Sequence, residues 1–275
     1  MPKSEPPLII TAAVVGAETM REQTPHVPYS PEEIADECRR CFDAGASMVH
    51  VHGRHDDGSP TQDVDTYEAI LDAIRQRCDV LVQFSTGGAV GMDVEERIEA
   101  LELQPDMATL TTGTVNFGDD VFMNSWPTIR TIARRLQHFD IRPEIEVFDT
   151  GMITTALRLR DEGLIDEPIH FDFVMGVPGG IEASERHLEF LVESIPDDST
   201  WSVAAMGRHE LPMARRAVDS GGHARVGLED NIYLKKGVLA KGSYELVEHV
   251  ADYAAEQGRP VATPEQARQL LHLTD

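Results

Sequence analysis

Two imidazoles stand two residues apart in the stretch Met48-Val49-His50-Val51-His52-Gly53-Arg54. Side chains alternate faces along a strand, so His50 and His52 share one face, and two ring nitrogens so placed can both reach a single divalent ion at roughly 2.0–2.1 Å. A His-x-His pair suits two hydrogen-bonded core histidines equally well, and the carboxylates elsewhere in the chain tip the balance. Glu18 follows the first apolar run, Glu144 and Glu146 alternate within a later one, and Arg225-Val226-Gly227-Leu228-Glu229-Asp230-Asn231 ends another. Buried together, such groups cost several kcal/mol unless paired or metal-bound. Two histidines and one carboxylate, with positions left open, make a catalytic zinc arrangement and not a closed structural one. The third ligand stays open among Glu18, Glu144, Glu146, Glu229 and Asp230.

The elements that must hold these groups are short β-branched runs alternating with helical patterns. Strands are expected at 8–14, 47–52, 80–85, 107–111, 144–148, 170–175, 200–205 and 224–228, each ending in Gly, Ser, Thr, Asp or Asn. Helices are expected at 31–44, 63–77, 93–103, 120–138, 154–162, 184–194, 213–219 and 243–257. The first has Ser30 as cap and Pro31 at its first position. Eight strand–helix units at a spacing of roughly thirty residues predict an α/β protein, a single (β/α)8 TIM barrel over residues 1–275 with a short helical extension from about 259. The absence of a Gly-x-Gly-x-x-Gly turn after the first strand argues against a dinucleotide fold. In a barrel the carboxyl ends of strands build the active site, and the polar residues cluster at those ends. The glycine-rich pieces Ser85-Thr86-Gly87-Gly88 and Gly176-Val177-Pro178-Gly179-Gly180 fit backbone that turns sharply or approaches a ligand closely.

Composition narrows the function. The formal net charge is −24, with 48 acidic side chains against 24 basic ones, of which four are lysines: Lys3, Lys235, Lys236 and Lys241. Nucleic acid is therefore not expected as a partner. An acidic, lysine-poor surface is expected of a halophilic or salt-tolerant protein. No apolar run approaches the roughly 20 residues of a membrane span, and the leading residues lack a secretory pattern, so a cytoplasmic protein is expected. Cys38, Cys41 and Cys78 read as reduced, buried or half-buried thiols, the first two lying within a helix.

Taken together, the segments Leu8-Ile9-Ile10-Thr11-Ala12-Ala13, Gly16-Ala17-Glu18, His50-Val51-His52-Gly53-Arg54, Ser85-Thr86-Gly87-Gly88-Ala89-Val90-Gly91 and Asn116-Phe117-Gly118-Asp119-Asp120 have a recognisable order and spacing. With Pro143-Glu144-Ile145-Glu146-Val147-Phe148, Gly176–Gly180, Gly221–Asn231 and Thr263-Pro264-Glu265-Gln266-Ala267, they span nearly the whole chain. The chain resembles the β-keto acid cleavage enzymes, the family of 3-keto-5-aminohexanoate cleavage enzyme. The resemblance implies a zinc-dependent barrel that takes a β-keto acid and acetyl-CoA and returns acetoacetate and a new acyl-CoA. It implies enolate formation, CoA transfer within the adduct and retro-Claisen cleavage. By motif position, His50, His52 and Glu229 would hold one zinc per chain, Asp230 would be the base, and Arg225 would orient it. Glu18, Ser85 and a threonine at 111 or 112 match substrate-contacting positions. Thr86, Gly87, Gly88, Asn116, Glu144 and Glu146 are the further expected substrate contacts. The resemblance also implies a homo-oligomer, expected to be a tetramer.

Phe148-Asp149-Thr150-Gly151 and the Thr111-Thr112 pair depart from the family pattern at the substrate end, which bears on which keto acid is taken. CoA is polyanionic, so a protein of this charge needs a local positive rim, for which Arg54, Arg208, His209, Lys235 and Lys236 are candidates. Two other classes compete. A metal-dependent barrel hydrolase would more usually carry its His-x-His on the first strand, and a barrel that merely binds acyl-CoA or a keto acid would need no base.

Overall fold

Aliphatic and β-branched residues that follow one another without a breaker form strands here, and each strand stops near the polar residue or glycine that ends the run. In the computed structural model, which describes residues 5–273, eight of these runs are β1 (Ile10–Ala13), β2 (Met48–Val51), β3 (Leu81–Phe84), β4 (Met107–Thr111), β5 (Arg142–Val147), β6 (His170–Met175), β7 (Thr200–Ala205) and β8 (His223–Val226). Each pairs in parallel with its neighbours in chain order, and β8 closes on β1 with Ile10 opposite Ala224 and Thr11 opposite Arg225. This is the expected closed (β/α)8 barrel. Residues 1–4, Lys3 among them, and 274–275 lie outside the described residues.

The helices are α1 (Pro31–Asp43), α2 (Val64–Arg75), α3 (Val94–Ile98), α4 (Trp126–His138), α5 (Thr150–Asp161), α6 (Glu185–Ser194), α7 (Glu210–Asp219), α8 (Ser243–Glu256) and α9 (Pro264–Leu270). Ser30 caps α1 in a full capping box, its Oγ accepting from the Glu33 N–H while the Glu33 carboxylate accepts from the Ser30 N–H. Thr263 and Gln266 repeat the device on α9. The helices expected at 154–162 and 213–219 begin earlier, at Thr150 and Glu210, and two others differ in kind. The segment 93–103 is α-helical only to Ile98 and continues as a 3-10 turn, Glu99–Leu103. The segment 120–138 does not start as a helix, because Ser125 caps α4 and Pro127 sits in its first turn, leaving Asp120–Phe122 to pair with Val115–Phe117 as a ribbon. Further ribbons, Gly53–Arg54 with Pro60–Thr61 and Tyr233–Lys235 with Val238–Leu239, decorate the same end of the barrel.

The main core lies between the barrel and its helices. A second, smaller cluster seals the opposite end: Ile9, Met48, Leu81 and Met107, at the starts of β1 to β4, pack against Ala262, Ala267 and Leu271. The tail reaches that place because Leu8 N–H donates to the Pro260 carbonyl and Ala262 N–H to the Leu8 carbonyl. Cys38 and Cys41 are buried in the main core, and burial pushes both thiols well above their ordinary pKa.

Candidate active site

Register sets the site. Parallel pairing places His50 beside Gln83, Thr111 beside Glu146, Glu144 beside His170, and Glu146 beside Asp172, which in turn lies beside Ser202. All these side chains point into the barrel, where strand alternation would ordinarily place apolar residues.

His50 Nδ1–H donates to Gln83 Oε1 at 2.7 Å, which leaves Nε2 as a lone pair aimed at the centre. Burial pushes the His50 imidazole down to about 4, so the ring is neutral. Its Nε2 lies 3.6 Å from Glu229 Oε1, as does Nε2 of His52, and the two rings meet edge-on at 5.2 Å. His50 Nε2 and Glu229 Oε2 are buried atoms without a hydrogen-bond partner, and one ligand atom from each of His50, His52 and Glu229 falls within 4.8 Å of the others. Buried polar atoms are rarely left unpaired. Two imidazoles and a carboxylate converging on one point fit a divalent cation, and nitrogen–oxygen donors with an open side fit zinc.

Glu229 and Asp230 sit just past β8, in a turn held from three directions. Glu210 of α7 accepts from the Gly227 N–H at 2.8 Å and from Asn231 Nδ2 at 3.0 Å. Leu228 N–H donates to Ser243 Oγ, and Thr19 Oγ1 donates to the Leu228 carbonyl. Gly16 is required opposite this turn: its φ is +68°, and a Cβ there would fall 2.5 Å from Glu229 Cγ.

Arg225, 4% exposed, is the cation of this interior. Its Nε and Nη2 each donate to one oxygen of Asp230 at 3.0 Å, Nη2 also reaches Glu229 Oε1 at 2.5 Å, and Nη1 lies 3.4 Å from Glu146 Oε1. Burial alone would push the Glu229 carboxyl up, but Arg225 and the two imidazoles outweigh it and hold that carboxyl well below the usual range. For Asp230 burial prevails, with Glu229 and Glu146 adding to it against Arg225, and the carboxyl rises to about 6. Burial also raises Glu146, whose Oε2 accepts from Thr111 Oγ1 at 2.5 Å.

Above these groups opens a cavity of about 300 Å3. Glu18, His52, Ser85, Gly87, Gly88, Glu146, Arg225, Glu229 and Asp230 line it, so nine of the expected positions converge on one space. The rest of the wall is apolar: Val90, Phe117, Phe122, Phe148, Val174, Val177 and Met206. His50 lies one layer below, and so does Thr111, which reaches the cavity only through Glu146.

Other expected substrate contacts lie away from this wall. Thr86 is turned to β4, donating from Oγ1 to the Thr109 carbonyl, and Thr112 Oγ1 donates to the Met152 carbonyl. Asn116 is exposed on the 115–122 ribbon. Glu144 is deep in the barrel, 3.2 Å from His170 Nε2. Arg54, expected on a rim, is a correction: it is 2% exposed, and its guanidinium donates to the carbonyls of Gly16, Thr19 and Gly58, clamping the loop after β1. Gln83 and Asp172 are interior polar residues that sequence reasoning passed over. Each is a polar interruption at an inward position of an apolar strand, and that was the available signal.

Known proteins resemble this chain over nearly its whole length. The profile of the beta-keto acid cleavage enzyme family matches residues 7–273. A 3-keto-5-aminohexanoate cleavage enzyme of Fusobacterium nucleatum is 53% identical over 268 residues, covering 97% of this chain and 98% of that one. A 3-oxoadipate:acetyl-CoA acetyltransferase of Cupriavidus necator is 40% identical over 271 residues, covering 97% and 95%. Among solved structures, the binary complex of ObcA with oxaloacetate superimposes with a TM-score of 0.77 at 22% identity, covering 91% of this chain and 68% of that one, which speaks to the shared fold. With a profile match over almost the whole length and a half-identical relative covered end to end, the chain belongs to the β-keto acid cleavage enzyme family.

Proposed function

We propose that this protein condenses a β-keto acid with acetyl-CoA and releases acetoacetate and a new acyl-CoA, with one zinc ion held by His50, His52 and Glu229. The observation that carries the reading is the convergence of those three ligands on one point, at a cavity that His52, Glu229 and Asp230 line, in a chain of this family. Bound there, zinc would supply a Lewis acid that polarises the keto acid's carbonyl and lowers the barrier to loss of the neighbouring proton.

Asp230 takes the proton from the carbon between ketone and carboxylate. That carbon attacks the acetyl thioester and the CoA thiolate leaves. The thiolate adds to the substrate's own ketone, the carbon–carbon bond beside it breaks, and the acyl group departs as its CoA ester. Asp230 returns the proton to the carbon that becomes the methylene of acetoacetate. Arg225 keeps the Asp230 carboxylate in place through both of its oxygens and offsets the negative charge gathered around it. Ser85 and the backbone of Gly87 and Gly88 offer polar contacts to the keto acid. Glu18, a carboxylate of the mouth without an ion pair among the described residues, would suit a cationic group at the substrate's far end, as the amino group in the Fusobacterium relative's substrate name suggests. The apolar wall of Phe117, Phe122, Phe148 and Met206 keeps water from the thioester, which favours transfer over the hydrolase reading.

Mass spectrometry of metal-assayed protein mixed with acetyl-CoA and a panel of β-keto acids tests the proposal. Acetoacetate with a matching new acyl-CoA supports it, whereas free CoA alone means hydrolysis. We also propose a homotetramer, to be read by sedimentation. No described helix is long and apolar enough to cross a membrane, which is compatible with the cytoplasmic site we propose. The halophilic reading expects a melting temperature that rises in molar KCl, and an unchanged or lowered one removes it.

A further inference from the structure

Acidic residues outnumber basic ones two to one in this chain, yet one large cleft has no carboxylate in its wall. It encloses about 890 Å3 between α7, α8 and the 233–239 ribbon, and carries Arg208, Arg215, Lys235, Lys236 and His249. The other large surface hollows are mixed: one holds Asp106, Asp140 and Asp166, another Glu95, Glu96 and Glu99. Most arginines elsewhere are spent on carboxylates or on buried carbonyls. Among the described residues, Arg208, Arg215, Lys235 and Lys236 have no carboxylate partner. The other basic residues left with neither kind of partner are Arg75, Arg134 and Arg186. Arg215 is instead turned toward His249 and the Tyr253 ring, and Arg208 Nε donates to His209 Nε2, a residue that does not line the cleft. Unpaired positive charge gathered in one hollow of an acidic protein implies an anionic ligand.

The cleft adjoins the active site. Met206 lines the catalytic cavity and Gly207 lines the cleft; Asp230 lines the cavity and Asn231 the cleft. Gly207 N–H donates to the Asp230 carbonyl at 2.8 Å, so the two hollows share a wall one residue thick. Tyr233, 47% exposed, lines the cleft together with Leu211 and Leu234. Cations for phosphates, an aromatic face for a base, and a thin divide from a thioester site match a nucleotide whose arm reaches over that divide.

We propose that this cleft binds the 3′-phosphorylated adenosine diphosphate of acetyl-CoA, with Arg208, Arg215, Lys235 and Lys236 on the phosphates, Tyr233 against the adenine, and the pantetheine arm crossing Gly207 and Asn231 to the cavity. The proposal rests on the reading of acetyl-CoA as co-substrate.

The test pairs calorimetry with kinetics on the full-length, metal-loaded protein. Adenosine 3′,5′-bisphosphate should bind the wild type, and Lys235→Glu with Lys236→Glu should weaken it at least about tenfold, as loss of charged phosphate contacts does. The same pair should raise the KM for acetyl-CoA by a similar factor while leaving the KM for acetylpantetheine, which has no nucleotide, where it was. Arg134→Ala with Arg186→Ala, which removes two charges elsewhere, should move neither. An unchanged KM for acetyl-CoA in the lysine variant, with turnover intact, overturns the cleft and leaves the reaction standing. Nucleotide binding that depends on the lysines, in a protein that makes no acyl-CoA from any keto acid, overturns the reaction and leaves the cleft standing.

Discussion

The two ends of the barrel are built from the same strands and obey opposite rules. At the amino-terminal ends of β1 to β4, Ile9, Met48, Leu81 and Met107 are at most 2% exposed and pack on Ala262, Ala267 and Leu271, with no charged group among them. At the carboxyl ends, a largely buried interior holds His50, Glu144, Glu146, Asp172, Glu229 and Asp230 around one arginine. Burying an aliphatic side chain stabilises by about 1.5–3 kcal/mol, whereas each buried charge costs several kcal/mol unless partnered. The lower end holds the barrel shut, and the upper end spends part of that stability on an electrostatic arrangement that leaves His50 Nε2 and Glu229 Oε2 without hydrogen-bond partners.

The largest contrast comes from deleting a ligand at the upper end. His50→Ala should empty the metal site and lower turnover by at least about a thousandfold, since Lewis-acid stabilisation amounts to several kcal/mol. Metal content per chain and acyl-CoA formation measure it together. A variant that keeps its metal and its rate would mean that the ligand set is wrong.

Asp230→Asn separates chemistry from architecture. Asparagine keeps the shape and one acceptor for Arg225 but cannot take a proton. Turnover should fall at least about a hundredfold with metal content unchanged. Retention of more than about a tenth of the rate would remove Asp230 as the base.

Gln83→Leu probes what lies beneath the metal ligands. Without the acceptor at 2.7 Å, His50 loses the bond that fixes its tautomer and ring angle. Zinc affinity, read by competition with a chelator, should drop by about 10–100-fold while the fold persists.

The barrel was legible because strand runs and helix caps are local signals, and Ser30-Pro31 and Thr263-Pro264 announce their helices outright. The His50/His52 pair was legible for the same reason, since alternation within one strand needs no knowledge of its neighbours. What stayed hidden depends on register between strands. Nothing local says that Glu146 lies beside Asp172 and Thr111 while Glu144, two residues earlier, drops a layer to meet His170. Alternation puts both glutamates on one face, but only the stagger of the barrel decides which reaches the cavity. Arg54 misled for a related reason. A charged residue after a strand reads as surface, whereas folding brings three carbonyls from two separate loops around its guanidinium.

The smallest effect on catalysis should come from the lower end. Leu271, 2% exposed, follows α9 and caps the cluster formed by the starts of the first four strands. Leu271→Ala should lower unfolding free energy in urea by about 2 kcal/mol, toward the low end for leucine truncation because a terminal helix can settle into part of the gap. Turnover and metal content should stay within about twofold of wild type, because the change is separated from the ligands by the length of the strands. A loss of activity larger than the loss of stability would tie the plug to the mouth and undo the division of labour between the two ends.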